Sequence, residues 1–139
     1  MTLVVDASVA AKWFADEEHS ERALGLLRNK IRLAAPDQFL LEMDSLVCKW
    51  IRRKIITVKE GKEIRKTLRM QTIEYRSSLD LLEIAFEIAT QTGSSFYDCL
   101  YLALAFILDA KLVTADQRLF DSISKSRMAD FIVWISDTA

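Results

Sequence analysis

The apolar positions of this chain alternate between short continuous runs and helix-spaced stripes. Leu3 to Val5 is a short apolar run ending at Asp6, the pattern of a buried central strand in a parallel sheet. Helical spacing follows over Val9–Phe14 and Ser20–Arg28, and a second strand is predicted at Arg32–Ala35, stopped by Pro36. Asp37 is placed to cap the next helix, which runs to about Lys54,. A more basic helix covers about Val58–Met70, and Thr72–Tyr75 is the third strand candidate. The spacing then predicts a helix over Ser78–Thr90, with Gly93 at its C-cap, and another over Phe96–Leu108,. Lys111–Thr114 and Phe131–Trp134 supply the remaining strands, the last after a loop and a small helix. Strands separated by helical segments define an α/β class with a parallel sheet covered by helices on both faces.

Composition narrows this reading. A chain of 139 residues, 51% hydrophobic, has enough apolar surface for one core and too little length for two, so residues 1–139 are expected to form a single domain,. There is no internal repeat or low-complexity tract. Cys48 and Cys99 lie inside helix-like apolar patterns with neither CxxC nor Cys/His spacing, which argues against a disulfide framework and a zinc site and fits a reducing cytoplasm,. No stretch has the pattern of a signal peptide. The longest apolar run, Cys99 to Leu108, is too short to span a bilayer, so no membrane association is expected,.

The net charge of −1 conceals an uneven distribution. Lys49 to Arg69 holds nine basic residues against Glu60 and Glu63, a local charge of +7, which leaves −8 on the rest of the chain. Such a block has two readings: a phosphate-contacting surface, or a solvated helical face with ordinary ion pairs.

Four acidic residues fit their surroundings poorly. Glu42 interrupts the stripe Phe39, Met43, Leu46, Val47 and Trp50, so its carboxylate faces the protein and needs a cation or a hydrogen-bonding partner,. Asp98 is the one charged residue between Gly93 and Leu108; its competing reading is a capping box with Ser95,. Asp6 ends the first strand and Asp116 follows the Leu112–Thr114 strand by two residues, where either could be a turn or cap residue,. Ligands of open parallel sheets, however, bind beyond the carboxyl ends of the strands, where strand order reverses. If the first and fourth strands are neighbours, both aspartates enter one crevice, and Glu42 and Asp98 reach it from flanking helices. Four carboxylates together repel one another without a counter-charge, and oxygen-only ligands suit Mg²⁺ or Mn²⁺. The single histidine, His19, sits beside Glu17 and Glu18 at a helix start, so a Ser/His/Asp nucleophile is not expected,.

Five segments carry a resemblance to a known family: Val4-Val5-Asp6-Ala7-Ser8 with Lys12-Trp13-Phe14; Pro36-Asp37 leading to Glu42; Ser95-Phe96-Tyr97-Asp98; Leu100 through Ala105; and Leu112-Val113-Thr114-Ala115-Asp116. In this order and spacing the chain resembles the PIN-domain family and, within it, the VapC-type toxins of toxin–antitoxin pairs. The resemblance implies a five-stranded parallel sheet of order 3-2-1-4-5 and a Mg²⁺- or Mn²⁺-dependent ribonuclease leaving 5′-phosphate and 3′-hydroxyl ends. It carries over Asp6, Glu42, Asp98 and Asp116 as the acidic quartet. Asp6, Asp98 and Asp116 are then direct ligands, and Glu42 acts through water or holds a second ion. Ser8 and Thr114 match positions that often bear a hydroxyl near the metal. On this reading Lys12, Arg52, Arg53 and Lys54 become candidates for RNA phosphate contact. A homodimer and a small VapB-like antitoxin protein that covers the acidic groove are the implied partners. Trp13, Phe14 and Trp50 are either interface anchors or core residues.

Three other classes share parts of the pattern. A phosphoacceptor receiver needs an acidic pair after its first strand, and an Asp-x-Asp phosphatase needs acids two residues apart; here Ala7 and Ser8 follow Asp6. A catalytically silent PIN-like module that binds RNA or a partner is the third, and the intact quartet argues against it.

Overall fold

A computed structural model describes residues 1–138. The chain begins with β1 (Thr2–Val5), whose last three residues are buried. A short helix, α1 (Ala7–Ala10), continues as a 3-10 turn over Ala11–Trp13, and α2 (Ser20–Arg28) leads to β2 (Arg32–Pro36). Next come α3 (Gln38–Arg52), α4 (Val58–Met70) and β3 (Ile73–Arg76). A 3-10 turn at Ser78–Leu81 precedes α5 (Leu82–Thr92), followed by α6 (Phe96–Leu108) and β4 (Lys111–Thr114). The last elements are α7 (Gln117–Ser124), a 3-10 turn at Ala129–Phe131, β5 (Ile132–Trp134) and a 3-10 turn at Ile135–Asp137. The five strands form one all-parallel sheet in the order β3-β2-β1-β4-β5, flanked by helices.

The centre of the core is α6, where Cys99 through Ala105 are all buried. It packs on β1, β2, β4 and α5, which explains why it is apolar nearly all round: a helix against both a sheet and another helix has little face left for water,. Phe39 and Met43 of α3 and Val4 and Val5 of β1 are fully buried in the same cluster. Among the described residues, no helix is long and apolar enough to cross a membrane.

Several boundaries differ from the sequence-based expectation: the first helical segment spans Ala7 to Trp13, α3 ends at Arg52, β3 is Ile73–Arg76 and β5 begins at Ile132. Three further differences have a visible cause. Pro36 is the last residue of β2, not a stop before it, because a terminal strand position needs no further ladder N–H,. Asp37 makes no capping bond to α3; its Oδ1 instead accepts from the Ser78 amide (3.1 Å) and hydroxyl (2.6 Å), tying the end of β2 to the segment after β3. That segment is a 3-10 turn at Ser78–Leu81, so α5 starts at Leu82 and extends to Thr92, with left-handed Gly93 after it.

The end of α3 also has a local cause. Lys54 takes a left-handed conformation (φ 58°), its amide donates to the Ile51 carbonyl, and the Ile55 amide donates to the Trp50 carbonyl. This pair of bonds is the Schellman closure, which glycine usually provides. Lys54→Gly is therefore expected to raise stability by about 0.5–1 kcal/mol, read as a higher midpoint of urea unfolding; an unchanged or lower midpoint contradicts the strain at this position.

Candidate active site

Strand register creates the crevice. Val5 of β1 aligns with Val113 of β4, so Asp6 and Thr114 emerge side by side at the carboxyl ends. The chain builds outward from β1 to β3, then crosses back to place β4 on the other side of β1. The β1–β4 boundary is thus the point where strand order reverses, the place where such sheets leave a crevice.

Asp6 is only 7% exposed and occupies this boundary. Its Oδ1 accepts from the Val9 amide at 3.1 Å, capping α1, and from the Ser8 hydroxyl at 2.5 Å, while its Oδ2 accepts from the Thr114 hydroxyl at 2.6 Å. The two hydroxyls also organise the loop after β4. Ser8 Oγ accepts from the Ala115 amide and Thr114 Oγ1 from the Asp116 amide, each at 3.1 Å. Asp116 is exposed and its Oδ1 caps α7 through the Leu119 amide at 3.2 Å. Both aspartates therefore cap helices, and Thr114 links the Asp6 carboxylate to the Asp116 amide.

Glu42 lies in the second turn of α3 and lines a cleft of about 530 Å³ with Ser8, Lys12, Ser45 and Lys49. Gln38, buried one turn earlier, donates to Glu42 Oε1 at 3.0 Å and to the Tyr97 carbonyl at 2.9 Å, linking α3 to the start of α6. The buried Tyr101 hydroxyl stands beside Glu42 and has no hydrogen bond of good geometry among the described residues. Asp98 begins α6. Its amide donates to Ser95 Oγ at 3.1 Å, but the reciprocal side-chain bond of a capping box is absent among the described residues. The Asp98 carboxylate instead lines a second cleft, of about 320 Å³, together with Asp116.

Burial and mutual repulsion act on the ionisation of these groups. Burial, opposed by its hydrogen bonds and reinforced by the charge of Asp98, pushes the Asp6 carboxyl up to about 6. Burial followed by the charges of Asp6 and Asp98 pushes Glu42 up to about 7, against the lowering effect of Tyr101 and Gln38. Asp98 is raised by burial and by the nearby Asp116. None of the four is in an ion pair among the described residues. Nor do three acidic, histidine or cysteine side chains among them close into a ready-made ligand group. The four acids are thus linked through their charges without lining one common cleft: Asp98 acts on Asp6, Asp6 and Asp98 act on Glu42, and Asp116 acts on Asp98, while Glu42 lines one cleft and Asp98 and Asp116 the other.

The basic candidates divide. Lys12 lines the larger cleft and pairs with Glu17 at 3.1 Å. Lys49, two turns after Glu42, lines it too. Arg52, Arg53 and Lys54 are exposed at the far end of α3, about 15 Å along the helix from Glu42,. Arg65 and Arg69 are both bound to Asp44, so for them the ion-pair reading of the basic block holds. Trp13 is a core residue, buried with its Nε1 donating to the Ala23 carbonyl at 2.8 Å. Sequence reasoning missed Gln38, although its i,i+4 spacing to Glu42 was visible, and it missed Arg118, which lines the second cleft.

A parallel α/β sheet of order 3-2-1-4-5 with acidic side chains gathered at its reversal point defines the class to which this chain belongs: residues 3–126 match the PIN domain, and the chain is a member of the PIN-domain family. Ribonuclease VapC3 of Pyrobaculum aerophilum is 31% identical over 121 residues, which cover 86% of this chain and 92% of that protein. Among solved structures, PAE2754 of Pyrobaculum aerophilum superposes with a TM-score of 0.70 at 20% identity, covering 98% of this chain and 85% of the other. A toxin–antitoxin complex from Klebsiella pneumoniae gives a TM-score of 0.65 at 13% identity, covering 94% of this chain and 95% of the other. These two structures establish the likeness of fold.

A raised carboxylate pKa has a definite effect on stability. Folded Asp6 and Glu42 hold protons more tightly than in the unfolded chain, so their contribution is most favourable below about pH 4 and is lost as pH rises to about 6 for Asp6 and about 7 for Glu42,. In chelator, Asp6→Asn is expected to be more stable than the unsubstituted protein by about 1–3 kcal/mol at pH 8, with the difference shrinking toward pH 4. Urea unfolding of both proteins across this range checks it, and a difference independent of pH contradicts it.

Proposed function

We propose that this protein is a Mg²⁺- or Mn²⁺-dependent ribonuclease that hydrolyses RNA phosphodiester bonds, acting as the VapC-type toxin of a toxin–antitoxin pair. The observation that carries the reading is that Asp6, at the β1–β4 reversal point of a PIN fold, is coupled through charge to Glu42 and Asp98, with none of the three in an ion pair among the described residues and each with a raised pKa. The donor set fits the metal. It is all oxygen and in no ion pair among the described residues, and Mg²⁺ keeps several waters and takes only one or two carboxylates,. Asp6, Asp98 and Asp116 would hold the ion directly, with Glu42 ligating through water or holding a second one. When bound, the metal supplies Lewis-acid activation of water and charge stabilisation at phosphorus.

The chain's own residues do the rest. Ser8 and Thr114 fix the Asp6 carboxylate from both oxygens, and Gln38 fixes Glu42, so these acids need little rearrangement when an ion and an RNA phosphate arrive,. Lys49, and Lys12 paired with Glu17, bring ammonium groups to the larger cleft beside Glu42, where they can meet a phosphate backbone,. Arg52, Arg53 and Lys54, farther along α3, are placed for an RNA segment outside the crevice. The similarity to Ribonuclease VapC3 supports the RNA substrate, and the fold shared with a toxin–antitoxin complex supports a small VapB-like antitoxin as partner. In this reading the protein acts in the cytoplasm as a homodimer and leaves 5′-phosphate and 3′-hydroxyl ends.

Asp98→Asn is expected to lower the rate of Mn²⁺-dependent RNA cleavage by at least about a hundredfold, with an unchanged circular dichroism spectrum. Gel analysis of labelled RNA with mapped ends measures it; undiminished cleavage by the purified variant would overturn the assignment.

A further inference from the structure

The smaller cleft contains a cation that the reading above leaves without a role. Arg118, in the first turn of α7, lines it with Asp98, Asp116, Ser94 and Ser122. Two carboxylates on the same wall would be its natural partners, yet among the described residues its guanidinium makes neither an ion pair nor a hydrogen bond. Its neighbour Gln117 turns away and donates to Asp121 at 2.8 Å. The cleft is held in shape from both sides. Ser94 Oγ and Ser122 Oγ share a hydrogen bond of 3.2 Å, joining the α5–α6 connection to α7, and Leu119 anchors α7 in the core. Gly93, left-handed at φ 76°, leaves open space where a Cβ would stand.

The two clefts are lined by different acids and adjoin along the chain at Ala115 and Asp116: Glu42 lines the larger one, Asp98 and Asp116 the smaller, and the charges of Asp6 and Asp98 both reach Glu42. Each also holds a cation that is in no ion pair among the described residues, Lys49 in one and Arg118 in the other, while Lys12 in the first is paired with Glu17. A linear polyanion with regularly spaced charges matches this arrangement, since one phosphate can sit at the acids while its neighbours reach a cation on each side. A planar guanidinium with flanking hydroxyls is suited to the two free oxygens of a phosphodiester.

We propose that Arg118, with Ser94 and Ser122, forms a binding subsite for the RNA phosphate adjacent to the one cleaved, so that the strand crosses the crevice from the Lys12–Lys49 cleft to the Arg118 cleft. The inference rests on the ribonuclease reading and adds to it the path of the substrate and a residue that holds it. Because the contact is to backbone, it acts on RNA of any sequence. Arg118→Gln removes the charge and both parallel donors, whereas Arg118→Lys keeps the charge and loses the fork.

The test is fluorescence anisotropy of a labelled 12-nucleotide single-stranded RNA in EDTA, where nothing is cut, across a salt series. Arg28→Gln, exposed at the end of α2 and lining neither cleft, is the control. Arg118→Gln is expected to bind about two- to fivefold more weakly and to reduce the slope of log affinity against log salt by about 0.7, one single-strand phosphate contact. Arg118→Lys falls between, and Arg28→Gln matches the unsubstituted chain. In Mn²⁺, cleavage by Arg118→Gln shows a raised KM. An Arg118→Gln protein with unchanged affinity and slope overturns the subsite; if the unsubstituted chain still cleaves RNA, the ribonuclease reading stands. An acidic peptide that depends on Arg118 while RNA does not also overturns it. A chain that neither binds nor cleaves RNA overturns both.

Discussion

A carboxylate buried at the end of a central strand, held by three hydrogen bonds and by no cationic side chain among the described residues, is the interaction on which this site depends. Asp6 stands where β1 and β4 meet, and Ser8, Val9 and Thr114 supply its donors. The same Ser8 and Thr114 hydroxyls hold the amides of Ala115 and Asp116, so fixing Asp6 also fixes the loop that carries Asp116. Neutral donors stabilise the carboxylate only in part, and its pKa remains raised. The crevice is therefore organised around a negative charge that the protein itself leaves uncompensated.

The helices bring the remaining acids to this point at little cost because each does so with its core-facing surface. α6 is buried along Cys99–Ala105, and that packing sets the position of Asp98 in its first turn. α3 buries Phe39 and Met43 on either side of Glu42 in sequence, so the stripe that seats the helix also turns Glu42 inward. Gln38 then joins the two helices by bonding both Glu42 and the Tyr97 carbonyl. Core packing and site geometry are consequently one constraint: a shift of α6 or α3 against the sheet moves a carboxylate.

Much of this was legible in the sequence because the signals were cumulative along regular elements. The run Leu3–Val5 ending in Asp6, and Leu112–Thr114 shortly before Asp116, revealed strands and their ends; Glu42 within an apolar stripe revealed a carboxylate turned inward. The sheet order came from family resemblance, since periodicity carries no information on which strands are neighbours. What sequence could not reveal depends on long-range contacts. Asp37 has the right residue type and position for a cap, but Ser78, 41 residues away, offers it two short bonds. That pairing reshaped the start of the following helix into a 3-10 turn. The basic block looked uniform by composition, yet Asp44 binds Arg65 and Arg69 while Lys49 alone of the block lines the Glu42 cleft. Arg118 was overlooked because a single arginine in a short polar helix has no pattern to mark it.

The most direct test of the central claim is whether a divalent cation replaces protons at these carboxylates. Isothermal titration of the protein with Mn²⁺ at pH 6, repeated in buffers of different ionisation enthalpy, counts the protons released on binding. The raised pKa of Asp6 and Glu42 predicts net proton release at pH 6 that disappears by about pH 8.5, and its loss in Asp6→Asn together with most of the affinity. Absence of Mn²⁺ binding, or binding with no proton release at pH 6, would contradict the account.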